Sequence, residues 1–192
     1  VNNAGMSTPM RALIDTLVDG RNAAASSQEI AFIDSRLSEL AGIVSAIPEG
    51  TRIVMIDANR DGVEQMVEAL RGEAGVTGIH IISHGQAGSL QLGSSTLDAN
   101  TMSTVYKQQL ESLHNNLSET ADILVYGCNF GAGDAGAEAT ALLASLTGAD
   151  VASSDDLTGA AGQGGDWVLE TRSGAVDAGA INAAGWNDTL AA

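Results

Sequence analysis

The chain holds one cysteine and three histidines, and two of these four side chains each close an apolar run. One run reads Ile81-Ile82-Ser83-His84-Gly85, the other Leu124-Val125-Tyr126-Gly127-Cys128-Asn129. A thiol near an imidazole is a pair suited to attack on an acyl carbon, because the attacking species is the thiolate and the imidazole can take or hold its proton. Gly85 lets the backbone after the histidine approach a carbonyl. Its N–H and that of Cys128 can then bind a developing oxyanion, and a helix beginning soon after Cys128 would add a favourable dipole. The plainer reading of a lone buried cysteine is a small hydrophobe. His80, on the same face as the end of its apolar run, reads as a hydrogen-bonded core residue, and His114, inside a polar helical stretch, as a surface one.

Whether His84 and Cys128 can meet depends on the elements that carry them. Short β-prone runs fall at 29–34, 52–57, 78–83, 122–126 and 150–153, and helical patterns lie between them at 35–46, 62–74, 101–117 and 135–147. Strands apolar on both faces and separated by helices predict an α/β fold with a mostly parallel central sheet and helices on both faces. Function then collects at the carboxyl ends of the strands. If the third and fourth strands are neighbours, their backbones lie about 4.8 Å apart and the two side chains come close. Ser89 to Leu97 alternates and turns at Gly93-Ser94-Ser95, which predicts a small hairpin inserted after the third strand. Asp166 to Glu170 is the expected final strand. The organisation expected is an N-terminal helix (9–18) and polar linker within 1–28, an α/β domain over 29–170, and a tail or linker over 171–192.

Composition narrows the function classes. In 192 residues there are 24 acidic and 8 basic side chains, a net charge of −16, and a pI near 4.2. Nucleic acid is disfavoured as a partner because the phosphate term would be repulsive. One cysteine excludes a disulfide framework and a cysteine-rich zinc site. No apolar run reaches the roughly 20 residues that cross a bilayer, so no membrane insertion is expected. A lysine-poor acidic surface suits a saline or extracellular setting and can collect divalent cations. No signal peptide is visible in 1–20, and the Val-Asn-Asn start reads as an excised piece of a longer chain.

The blocks IHIISHG and ILVYGCN, with a hairpin after the histidine, resemble the caspase-like cysteine peptidases, a group that includes caspases, legumains, gingipains and separase. The histidine precedes the cysteine by about 44 residues, near the roughly 50 of the caspase arrangement. More closely, the ordered series FIDSRL, IDANRDG, SHGQAGSLQLG, LVYGCNFGAG, ASSDDLTG and GGDWVLE resembles an uncharacterised domain family. Its members occur toward the N-terminal side of very large bacterial surface proteins, adhesin and cadherin-like repeat proteins among them. The resemblance implies a caspase-like three-layer sandwich, a His84–Cys128 dyad, and a secreted or cell-surface setting in a bacterium. It further implies a polypeptide substrate, which can be the parent chain, and a Tyr-Gly pair stands before the cysteine where caspases carry Gln-Ala. The alternative is a catalytically silent module of a surface adhesin. In the caspase-like fold the first substrate pocket is walled by the loop after the first strand, here Arg36, and by the strand after the cysteine helix, here Asp155 and Asp156. Arginine favours acidic or amide side chains and paired aspartates favour basic ones; the turn-rich setting of the aspartates inclines the expectation toward a basic residue before the scissile bond.

Three competing motifs remain. Gly131-Ala-Gly133-Asp-Ala-Gly136 matches the dinucleotide fingerprint G-x-G-x-x-G, but it follows the fourth strand and Cys-Asn-Phe intervenes. Asp57, Asn59, Asp61 and Glu68 stand at calcium-loop spacing, although a strand enters the loop and Asp61 also reads as a helix N-cap. No cofactor is required on this reading, and Ca2+ is an optional ligand, since several caspase-like peptidases depend on it. A serine hydrolase lacks its G-x-S-x-G; Tyr126 and Phe130 flank Cys128 instead.

Overall fold

The computed structural model describes residues 7–191; the first six residues of the expected N-terminal segment lie outside the described residues. In chain order the elements are α1 (Thr8–Asn22), β1 (Ser26–Asp34), α2 (Leu40–Ala46), β2 (Thr51–Ile56), α3 (Gly62–Leu70) and β3 (Val76–Ile82). They continue as β4 (Gly85–Gln86), β5 (Ser89–Leu92), β6 (Ser95–Asp98), α4 (Ala99–Ser103), α5 (Lys107–Leu113), β7 (Leu117–Tyr126), α6 (Gly133–Thr147), β8 (Asp150–Ser153) and β9 (Thr171–Ser173).

Six strands form one sheet in the order β2-β1-β3-β7-β8-β9. It is parallel from β2 to β8, and only β9 runs antiparallel. β4, β5 and β6 make a separate small antiparallel sheet, the hairpin expected from its alternation. Alternate residues of each strand go to opposite faces, and the core divides accordingly. Ile30, Phe32, Ile79, Ile81, Ile123 and Val125 pack with α3, α5, α6 and the hairpin. Ala31, Ile33, Ile82, Leu124 and Tyr126 pack on the other side with α1, α2 and residues near the C-terminal end. The α/β class and the mostly parallel sheet are therefore as expected, with one helical layer on each face.

Several local expectations are corrected. The stretch 101–117 is two short helices because the chain turns at Thr104–Tyr106, exposing Val105 and sinking Tyr106, whose hydroxyl donates to the Asp61 carboxylate at 2.7 Å. The helix expected from Ser35 begins only at Leu40, since Asp34 is buried and ties the intervening turn down, accepting from the Arg36 N–H (2.9 Å) and the Gly93 N–H (2.8 Å). Residues 19–22, read as the start of a linker, extend α1 instead. The Asn22 side chain there bonds both the N–H and the C=O of Ile53 on β2, at 2.7 and 2.8 Å.

Asp166–Glu170 alternates as a strand should, with Trp167 and Leu169 buried, yet ladder pairing begins only at Thr171. Beyond it, the weakly patterned residues 171–191 supply β9 and the buried Ile181, Ala183, Trp186 and Leu190. Their apolar positions are too few and too irregular to show a period, and burial here is set by distant partners. Asp122, itself buried, accepts from the Asp177 and Ala178 N–H groups, and the Trp186 indole donates to the Ser38 carbonyl at 3.0 Å.

Candidate active site

β3 and β7 are adjacent and parallel, with Ile82 opposite Tyr126. His84 and Cys128 each lie two residues beyond that pair, in the turns that follow the two adjacent strand ends. Gly85 is what permits the close approach of the two turns. A Cβ there would lie 2.8 Å from the Gly127 carbonyl carbon and 3.0 Å from the Cys128 carbonyl oxygen.

Cys128 is fully buried among the apolar residues of the α1/α2 side. Its Sγ accepts from the Thr158 N–H at 3.3 Å and lies 3.5 Å from the Thr158 carbonyl. Burial pushes the thiol pKa up, and hydrogen bonds from the backbones of Thr158 and Leu190 offset only part of that rise. The resting sulfur is thus a neutral thiol. His84 is half-buried, with Nδ1 3.2 Å from the Leu190 carbonyl oxygen. A carbonyl can only accept, so the ring nitrogen facing it carries a proton. The Gly85 N–H also donates to that oxygen, at 3.2 Å. The imidazole, the thiol and the Gly85 amide therefore share one neighbour, Leu190.

The other sequence candidates are distributed around this centre. Asp155 and Asp156 are exposed beside the cysteine turn: the Asn129 N–H donates to the Asp156 carbonyl at 2.7 Å, and Asn129 adopts a φ of 58°. Burial, then the neighbouring Asp166 and Asp155 charges, raise the Asp156 pKa. Asp155, Asp156 and Glu170 are also the one set of acidic, His or Cys ligand atoms, among the described residues, that gathers within 4.8 Å. Arg36 is not paired with these acids. Its guanidinium donates to the carbonyls of Ala58 (2.7 Å) and Gly93, on the wall of a cleft of about 670 Å³ between α1 and the β1–α2 turn.

The four calcium-spaced residues are engaged with neighbours. Asp57 accepts from the Asn59 N–H at 2.9 Å, Asp61 caps α3 by accepting from the Glu64 N–H at 3.0 Å, and both Glu68 oxygens accept from Arg60. The Gly131–Gly136 run spans the end of the β7–α6 turn and the first turn of α6. There a Cβ on Gly136 would lie 2.0 Å from the Gly131 carbonyl carbon, so turn packing alone accounts for that glycine. His80 is buried and satisfied, with Nδ1 3.1 Å from the Tyr126 hydroxyl and Nε2 3.6 Å from a Glu29 carboxylate oxygen. His114 is exposed at the end of α5.

Sequence reasoning missed Thr158 and Leu190. The turn-rich composition of 154–165 marks Thr158 as part of a loop, but nothing local links Leu190 to a cysteine more than sixty residues away, roughly the span of a small domain.

Residues 30–189 match a family described as a domain of unknown function, DUF4347. The chain belongs to the DUF4347 family. No curated protein and no solved structure matches it with significance. Because the DUF4347 match runs from β1 almost to Leu190, it takes in both strand ends, the Thr158 loop and the packed C-terminal segment.

Proposed function

We propose that this DUF4347 domain is a cysteine endopeptidase of the caspase-like kind. Cys128 is the nucleophile, His84 accepts and then returns the proton, and the Gly85 and Cys128 N–H groups stabilise the oxyanion. The observation that carries this reading is the parallel pairing of β3 with β7, whose ends at Ile82 and Tyr126 stand opposite each other two residues before His84 and Cys128. Support comes also from the Gly85 N–H, which already binds a carbonyl oxygen within reach of the imidazole. The setting that suits the acidic surface is a large secreted or surface-anchored bacterial protein, with calcium as an optional ligand.

A second reading is a silent structural module of such a protein. It is favoured by the complete burial of Cys128 and its raised pKa. Incubating wild type and Cys128→Ala with a peptide library, with and without calcium, separates the two. Cleavage products that depend on Cys128 are expected, and their absence under both conditions leaves the silent module.

A further inference from the structure

The residues that cover the thiol are held as an extended peptide in a cleft. Asp188–Leu190 runs antiparallel to Thr158–Ala160. The Leu190 N–H donates to the Thr158 carbonyl at 2.9 Å, the Ala160 N–H donates to the Asp188 carbonyl at 2.9 Å, and Gly159 pairs with Thr189 between them. Such main-chain pairing is how an extended peptide is recognised irrespective of its side chains, with pockets selecting among them. The Leu190 side chain is fully buried in the same apolar cluster as Cys128, Tyr126 and Trp186. Its carbonyl oxygen receives the Gly85 N–H and faces His84 Nδ1, while Ala191 is exposed. Asp188 anchors the segment upstream by accepting from the Ser38 hydroxyl, a bond that holds its carboxyl below the usual range.

We propose that the Leu190–Ala191 peptide bond is the substrate of the dyad in cis, with the buried leucine as the residue before the scissile bond. This rests on the peptidase reading and specifies its substrate. It also revises the expected pocket: the side chain that is held is apolar, and Asp155 and Asp156 stay outside at the rim.

The chemistry balances with the groups present and one water. The imidazole takes the thiol proton, and Sγ bonds to the Leu190 carbonyl carbon as the oxygen becomes an oxyanion on the Gly85 N–H. The bond to the Ala191 nitrogen then breaks, and the imidazolium gives its proton to the departing amine. Water adds to the thioester, releasing the Leu190 carboxylate and restoring the thiol. Because the product carboxylate is held by the same hydrogen bonds, one cut per molecule is expected before the cleft must open.

The test follows the intact mass of the purified 192-residue chain with and without calcium. Wild type loses Ala191–Ala192 with time, while Cys128→Ala and Ala191→Pro retain it. The proline blocks the cut without disturbing a described hydrogen bond, and it suits an extended Leu190. Far-UV circular dichroism verifies that both variants fold. A wild-type mass that stays constant, alongside Cys128-dependent cleavage of library peptides or of another bond in the chain, overturns this inference and leaves the peptidase. Absence of any Cys128-dependent cleavage overturns both.

Discussion

At the scale of single residues, the decisive side chain is one whose ionisation the fold suppresses. A reactive thiol is expected to sit in an electropositive, part-exposed place with a lowered pKa, whereas burial holds Cys128 above the ordinary thiol range. The sign for stability follows directly. The unfolded thiol ionises first as pH rises, so the contribution of the neutral buried form is complete below the ordinary thiol pKa and is lost as pH climbs through the raised folded value. The same suppression controls alkylation. Iodoacetamide is expected to modify the native chain slowly at neutral pH, and Leu190→Gly, which opens the space above the sulfur, should speed modification at least tenfold. Mass spectrometry of the alkylated protein measures both rates; equal rates would mean that Leu190 does not shield the thiol. The placement of His84 and Cys128 just past two adjacent strand ends was legible in the sequence because each residue ends an apolar run, and a run's end is a local property. The state of the thiol was not legible, because the atoms that set it belong to Thr158 and Leu190.

At the scale of elements, β1, β2, β3, β7 and β8 were legible as short apolar runs, buried on both faces of the sheet, and the hairpin was legible from its alternation. Failures fall where tertiary contacts override local preference. The helix over 101–117 breaks because Tyr106 finds Asp61, and the expected strand at 166–170 has the alternation but gains no ladder partner until Thr171. The turn from β7 into α6 shows the same principle in reverse. Gly136 lies in the first turn of the helix, where alanine is normally favoured by about 1 kcal/mol. Here an added methyl would strike the Gly131 backbone. Gly136→Ala should therefore destabilise the protein by about 1–3 kcal/mol, the usual range for overpacking, and it should shift the turn that carries Cys128. Urea denaturation gives the stability change, and a neutral or stabilising result would show that the turn can relax.

At the scale of the whole molecule, the core on the α1/α2 side is completed by residues that looked like a tail. Trp186 is among the largest fully buried side chains and is tied to the β1–α2 turn through Ser38. Trp186→Ala should cost about 3–5 kcal/mol, as for other buried aromatic truncations, and should release the C-terminal segment from the cleft. Thermal unfolding measures the loss. A change under 1 kcal/mol would mean that the segment packs without contributing to the fold. The charge of −16 indicated little about any of this, since surface charge bears on solubility and partners rather than on which residues fill a core.

The two hydrogen bonds between the Asn22 side chain and the Ile53 backbone acquire a further meaning once β2 is recognised as an edge strand of the sheet. In a parallel sheet, the N–H and C=O of one residue point to the same side, and those of Ile53 are engaged by a side-chain amide where another strand would otherwise dock. An unprotected edge is a template for pairing with other chains. The C-terminal residue of α1 thus fills the hydrogen-bonding positions of Ile53 on the edge strand, so at that residue the edge offers no free donor or acceptor pair to an added strand.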